Sequence, residues 1–164
     1  GIATEVREAL LGEGINGYTL KEYGTLVTSN ANLSTYPMIK GGEKISNVIA
    51  YGTNSDGAMT DNIFAIVNGR YHYTAVLVGI PAEYYKTEFA FRGYATLTKG
   101  EEEITLYGPI RYRSIYSLAE QALSLNMYEE GSDAWSFLKQ LITDGDNSPQ
   151  LTTQTGVTGE EAEE

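Results

Sequence analysis

His72 is where a search for acid–base chemistry begins, because it is the only histidine among the 164 residues. It lies in the run Tyr71-His72-Tyr73-Thr74, where it alternates like an ordinary strand residue. General-base catalysis needs a nucleophile fixed beside the imidazole, and the chain has no Gly-x-Ser-x-Gly elbow. Cysteine is absent, which excludes thiol catalysis and cysteine-based zinc sites. We therefore predict that His72 is a strand residue and that the chain is not an enzyme.

Carboxylates are the next candidates, because a facing pair of them can hydrolyse a glycosidic bond. The chain carries 22 acidic residues, so pairs arise by chance. The densest run, Glu101-Glu102-Glu103, is typical of a solvated hairpin turn. We predict no catalytic residue among the carboxylates either.

Oxygen ligands that suit calcium are concentrated at Asn54, Asp56 and Asp61, with Asn62 beside them. The segment lacks the twelve-residue EF-hand pattern and its terminal glutamate. Asparagine, aspartate and glycine are also the residues that turns require, so a plain turn is the alternative. We predict no cofactor other than a structural calcium ion held by Asn54, Asp56 and Asp61.

Arginine and tyrosine are concentrated in one part of an otherwise acidic chain, at Arg92, Tyr94, Arg111, Tyr112 and Arg113. Exposed tyrosine rings beside arginine can stack on sugar rings or anchor a protein interface. The alternative is that Arg92 pairs with an acidic neighbour while the rings fill the second face of a sheet. The candidate ligand-binding residues are Tyr84, Tyr85, Arg92, Tyr94 and Tyr112, with Trp135 as a further ring to inspect.

The net charge limits the partners that this chain can bind. It is −11 at pH 7, so phosphate backbones and anionic membrane surfaces are repelled. No apolar run reaches the length of a membrane-spanning helix. We predict no nucleic-acid binding and no membrane insertion.

Apolar and charged contents of 41% and 20% are those of a globular domain.

An antiparallel sheet built from residues 63–107 would position these side chains. Asn68-Gly69 lies between two apolar runs and is a strong hairpin signal, because both residues tolerate positive φ. The predicted consecutive strands are 63–67, 71–80, 87–98 and 104–107. In the strand 87–98 apolar residues fall on one face and polar residues on the other, which is typical of a sheet that packs on a single core.

The flanking segments predict further elements. Residues 5–11 have helical spacing of apolar residues and end at Gly12, while 18–29 and 45–51 have strand character. Residues 30–44 and 52–61 are predicted loops. Ser114 and Ser132 are N-cap candidates for two amphipathic helices, the first of which would break at Glu129-Glu130-Gly131. The side chains that the second helix would direct to the core are Ala134, Trp135, Leu138, Leu141 and Ile142.

These elements predict a mainly β fold, an antiparallel β-sandwich with two C-terminal α-helices and therefore some α+β character. Residues 1–144 would form a single domain. Residues 145–164 are rich in serine, threonine, glycine and glutamate, and they predict an acidic tail or a linker.

A series of short motifs follows one another in the order of a known family. They are Glu22-Tyr23-Gly24-Thr25-Leu26-Val27, Tyr73-Thr74-Ala75-Val76, Gly79-Ile80-Pro81, Tyr84-Tyr85, Phe89-Ala90-Phe91-Arg92-Gly93-Tyr94, Tyr107-Gly108 and Arg113-Ser114-Ile115-Tyr116. The order resembles an uncharacterised accessory module of large secreted and cell-surface proteins of Gram-positive (Firmicutes-type) bacteria. There the module accompanies Ig-like, dockerin, surface-layer homology or carbohydrate-active domains.

The resemblance implies a non-catalytic, extracellular structural or adhesion module at the cell surface, whose partners are neighbouring modules, a polysaccharide or another protein. It carries no catalytic residues to transfer. A carbohydrate-binding module that uses exposed tyrosines is one alternative. Similar modules have a further strand before the segment that matches Ala3-Thr4-Glu5-Val6. Here that strand is either truncated or supplied in trans, so a subunit of an assembly formed by strand exchange is a second alternative.

Overall fold

The computed structural model describes residues 1–151 and contains two antiparallel sheets and three α-helices in that range. The strands are β1 (Ile2–Ala3), β2 (Thr19–Ser29), β3 (Ser46–Thr53), β4 (Met59–Asp61), β5 (Ala65–Val67), β6 (Arg70–His72), β7 (Phe89–Lys99) and β8 (Glu102–Arg113). The helices are α1 (Thr4–Leu11), α2 (Ile115–Ser124) and α3 (Asp133–Asn147), with 3₁₀ turns at Asn30–Ser34 and Ala82–Tyr84. The mainly β fold with two C-terminal helices is confirmed.

The chain divides into two compact units. The first comprises Gly1–Val27, Met38–Val76 and Phe91–Arg111, and the second comprises Thr28–Pro37, Leu77–Ala90 and the described residues from 112 to 151. Of the predicted tail, residues 145–147 belong to α3. Residues 152–164 lie outside the described range.

The small sheet has the strand order β1-β6-β5 and belongs to the first unit. Its predicted hairpin is confirmed: Val67 pairs with Arg70, and Asn68 and Gly69 adopt φ of 49° and 68°, as a type I′ turn requires. The predicted strand 71–80 is wrong beyond His72, because residues 73–80 have no regular secondary structure. Alternation of apolar residues indicates an extended backbone, but it does not predict whether that segment pairs with another strand.

The larger sheet has the order β4-β3-β2-β7-β8. The sequence predicts that the hairpin strands and the strand 87–98 follow one another in one sheet, but they lie in two separate sheets. The predicted loop 52–61 is also wrong at both ends, because β3 extends to Thr53 and Met59–Asp61 pair with it. This short strand escaped prediction because three residues carry too little alternation to be recognised.

The predicted one-sided burial of the long strand is wrong as well. Tyr94 and Thr96, on the expected polar face of β7, are only 3% and 0% exposed, while Phe89 and Leu97 on the other face are also buried. β7 lies inside its sheet, between β2 and β8. Both faces are covered, and the polar side chains are accommodated because they find hydrogen-bond partners.

The core of the first unit is aromatic. Leu10, Leu20, Ala50 and Leu97 surround Tyr23, whose ring stacks on Tyr51 at a centroid distance of 5.6 Å. The Tyr73 ring meets Tyr23 at 5.0 Å with a tilt of 48°. Helix α1 contributes Leu10 and ends at Gly12, as its sequence predicts.

The second unit is organised by α2 and α3. Ser114 caps α2 in a reciprocal capping box with Ser117, and Ser132 caps α3 by accepting from the Trp135 N–H. Both predicted caps are confirmed. Helix α2 ends at Ser124, earlier than the predicted break, and Asn126 then adopts a positive φ of 50°. Within the described residues, no helix is long and apolar enough to cross a membrane.

Candidate functional site

The predicted ligand-binding residues are divided between the two units. Arg92 and Tyr94 belong to the first unit, on β7. The Arg92 guanidinium donates to the carbonyls of Gly108 (2.9 Å) and Met38 (2.8 Å) and lies over the Tyr107 ring. The Tyr94 hydroxyl donates to the buried carboxylate of Glu22. Both side chains are therefore held by contacts within the chain.

The other three predicted residues lie in the second unit. Tyr84 and Tyr85 are half-buried at the 3₁₀ turn, and Tyr85 packs against Gly145 of α3. Tyr112, at the end of β8, is exposed, and Trp135 is half-buried with Lys139 over its ring. Tyr84, Tyr85 and Tyr112 thus remain candidates for a ring-stacking surface, and carbohydrate binding stays a prediction.

The residues of the predicted calcium site have other partners in this structure. The side-chain oxygen of Asn54 accepts from the N–H groups of Asp56 and Ala58, which is the turn alternative. Both carboxylate oxygens of Asp61 accept from Arg7 at 2.7 Å. Calcium binding by Asn54, Asp56 and Asp61 stays a prediction, and it would require these oxygens to exchange partners.

His72 and the acidic run have the surroundings that the sequence predicts. His72 is exposed on β6, opposite Ala65. Glu101, Glu102 and Glu103 are exposed at the start of β8. Lys21 forms an ion pair with Glu103 and holds the pKa of that carboxyl below its usual value.

Sequence reasoning missed a buried polar network in the first unit. Besides Tyr94, the Glu22 carboxylate accepts from Asn47 (3.3 Å) and Lys40 (3.2 Å), and Lys40 also reaches Thr96. Burial, and then the neighbouring Glu22, raise the pKa of the Tyr94 hydroxyl, so it remains a protonated donor. The partners come from separate segments, and no local pattern could have revealed them.

A tyrosine-lined cleft of about 500 Å³ opens in the first unit. Its lining residues are Gly1, Ile2, Ala3, Val6, Tyr23, Arg70, Tyr73, Gly93, Tyr94, Ala95, Leu106, Tyr107, Gly108 and Pro109. All four tyrosine hydroxyls have partners within the chain: Tyr23 with Arg7, Tyr73 with the Gly24 carbonyl, Tyr94 with Glu22 and Tyr107 with the Lys40 N–H. The cleft therefore presents mainly ring and aliphatic surface, and neither His72 nor a carboxylate lines it.

The most exposed apolar side chains of the first unit include those at the β5 edge of the small sheet. Phe64 is 76% and Ile66 is 59% exposed, and Val67 is also exposed. Ile2, Tyr71 and Ile66 are aligned across β1, β6 and β5 and therefore share one face. Ile2 and Tyr71 are half-buried, so the apolar face continues outward to an uncovered edge. We call Phe64, Ile66 and Val67 the edge strip.

Comparison with known proteins gives no relative from which a function could be transferred. No family model matches the chain, and no curated protein or solved structure matches it. The resemblance to accessory modules of Gram-positive surface proteins therefore stays a prediction. Function has to be argued from the surfaces of the molecule.

Proposed function

We propose that this chain is a non-catalytic structural or adhesion module of a secreted or surface protein of a Gram-positive bacterium, acting through protein contacts. The observation that carries the proposal is the edge strip. Soluble domains rarely leave large apolar side chains side by side, and such patches mark interaction surfaces. The extracellular placement rests on the resemblance of the sequence motifs.

The chemistry of the tyrosine-lined cleft supports a binding role over a catalytic one. Its hydroxyls are engaged within the chain, and its only charged side chain is Arg70. A hydrolytic site would need a general base or a pair of facing carboxylates within reach of a substrate. The rings and aliphatic groups that line the cleft are suited instead to binding a ligand of complementary shape through apolar contacts.

Carbohydrate binding is the second candidate, and the accessibility of the second unit's tyrosines favours it. Tyr112 is exposed at the end of β8, and Tyr84 and Tyr85 are partly exposed at the 3₁₀ turn. Sugar rings stack on such aromatic faces.

One screen separates the two candidates. The purified chain is presented to immobilised bacterial polysaccharides and glycans in one arm and to immobilised extracellular and surface proteins in the other, with calcium or with a chelator. We expect capture in the protein arm, lost on Phe64→Ser combined with Ile66→Ser. Polysaccharide capture that is lost on Tyr84→Ala, Tyr85→Ala or Tyr112→Ala would overturn the proposal in favour of the second candidate. Capture in neither arm would count against both.

A further inference from the structure

Two glycines keep the tyrosine-lined cleft open. Gly93 and Gly108 both line it, on the neighbouring strands β7 and β8, and neither has a left-handed φ. A Cβ at Gly93 would meet only the Tyr73 hydroxyl, at 3.4 Å, and a Cβ at Gly108 only the Gly93 carbonyl oxygen, at 3.5 Å. Neither the backbone conformation nor crowding therefore requires glycine here. A larger side chain at either position would occupy the cleft.

The walls of the cleft are suited to an aromatic ring. Its volume of about 500 Å³ lies within the range of about 300 to 1,000 Å³ that is common for small-molecule sites. Tyr73 and Tyr107 are half-buried, so parts of their rings are accessible, and Ile2, Ala95 and Leu106 add aliphatic surface. A ligand ring can pack on tyrosine rings edge-to-face or offset.

The charge of the lining favours an anion. The chain has 22 acidic and 11 basic residues, yet Arg70 is the only charged side chain that lines the cleft. One guanidinium nitrogen of Arg70 donates to the Gly1 carbonyl at 3.2 Å, and no carboxylate within residues 1–151 forms an ion pair with it. The planar fork of a guanidinium matches the two oxygens of a carboxylate. At about 0.15 M salt the Debye length is about 8 Å, so more distant carboxylates repel such a ligand only weakly.

Other classes of ligand suit this lining less well. A cation would find no carboxylate among the lining residues. The many hydroxyls of a sugar would lack partners, because the four tyrosine hydroxyls are already bonded within the chain. An uncharged apolar molecule would gain nothing from Arg70.

We propose that the tyrosine-lined cleft binds a small aromatic carboxylate, with its ring among the tyrosine rings and its carboxylate on Arg70. The inference goes beyond the proposed function, because the edge strip takes no part in it and either can fail without the other. A ligand of about ten non-hydrogen atoms in an open cleft should have a dissociation constant in the millimolar range.

Titration of the ¹⁵N-labelled chain with 3-phenylpropionate up to about 20 mM, followed by two-dimensional NMR, tests the site at the expected affinity. We expect saturable shifts concentrated at the amides of Gly93, Ala95 and Gly108. The neutral 3-phenylpropionamide has the same ring and nearly the same shape, so it should bind at least about fivefold more weakly for want of the charge. No saturable shift at these amides, or equal affinity for the acid and the amide, overturns the inference.

Three variants assign the binding to the cleft. Arg70→Gln should weaken binding of the acid at least about fivefold and leave binding of the amide unchanged. Arg111→Gln removes the same charge from an exposed position on β8 outside the lining and should change neither. Gly93→Val should weaken binding of both molecules by filling the cleft, while resonances elsewhere show the fold intact. A loss for Arg111→Gln as large as that for Arg70→Gln, or full affinity in a folded Gly93→Val, overturns the assignment. If Gly93→Val does not fold, the comparison of the two arginine variants decides.

Discussion

Arg7 shows at the residue scale how the small sheet is joined to α1 and the larger sheet. The side chain is 6% exposed and lies over the rings of Tyr23, Tyr51 and Tyr71 at 4.7 to 5.8 Å. It donates to the Tyr23 hydroxyl and to both oxygens of Asp61. One guanidinium therefore connects side chains from β2, β3, β4 and β6, using the planar fork that lysine lacks.

Arg7→Met should destabilise the fold by about 1 to 3 kcal/mol, because it leaves the buried Tyr23 hydroxyl without its donor and removes the ion pair with the half-exposed Asp61. Arg7→Lys keeps the charge but loses the bidentate contact and the ring stacking. It should therefore destabilise the fold less than Arg7→Met does, but the variant should still be less stable than the wild type. Urea unfolding followed by tyrosine fluorescence measures both. A cost below about 0.5 kcal/mol for Arg7→Met would show that the cluster is incidental.

Gly24 and Gly93, on strands β2 and β7, allow a comparison of the same glycine-to-alanine substitution at a crowded and at an open position. A Cβ at Gly24 would lie 2.2 Å from the Val48 carbonyl oxygen, whereas a Cβ at Gly93 would lie 3.4 Å from the Tyr73 hydroxyl, an ordinary contact. Gly24→Ala should cost about 2 to 3 kcal/mol, because backbone must move. Gly93→Ala should be neutral or stabilising by up to about 0.5 kcal/mol. Thermal unfolding of the two variants side by side checks this, and equal effects would contradict it.

Asp146 gives a pH dependence with a defined sign. Lys86 and then Tyr116 donate to its carboxylate and hold its pKa below the ordinary value of 3.8. Because the folded pKa is the lower one, this contribution to stability is present above 3.8 and is lost as the pH falls through the folded value. The difference in melting temperature between the wild type and Asp146→Asn should therefore shrink on acidification. A difference that is constant with pH would contradict the assignment.

The elements of the fold were predictable from sequence where a local signal exists. Asn68-Gly69 specifies its turn because the two residues accept positive φ, and Ser114 and Ser132 specify helix starts because their hydroxyls can accept backbone N–H groups. The predicted strand 71–80 is wrong beyond His72 because alternation carries no information about pairing partners. The Arg7 cluster was not predictable, since Arg7 and Asp61 are 54 residues apart.

The two helix caps should differ in their contribution to stability. Ser114 is buried and takes part in a reciprocal box with Ser117, whereas Ser132 makes one capping bond of 3.3 Å. Ser114→Ala should cost about 1 to 2 kcal/mol and Ser132→Ala about 0.5 to 1 kcal/mol. Chemical denaturation measures both free energies, and the reverse order would contradict the role of the box.

At the scale of the whole molecule, charge and apolar exposure have opposite effects on association. The net charge of −11 keeps copies apart at long range, while the edge strip is attractive only at contact. Sequence predicted the acidic character and the antiparallel fold. It could not predict the edge strip, because the exposure of residues 63–67 depends on which strands pair with β5 and which elements cover it.

The edge strip is the contact surface that we propose for this module, and a matched comparison of serine variants tests this role. Phe64 and Phe137 are similarly exposed, at 76% and 62%, but Phe137 lies on α3 in the second unit. Capture of the chain by immobilised protein is measured for Phe64→Ser and Phe137→Ser. We predict a loss of about tenfold for Phe64→Ser, equivalent to about 1.4 kcal/mol, and no change for Phe137→Ser. An equal loss for both variants, or a loss only for Phe137→Ser, would contradict the claim.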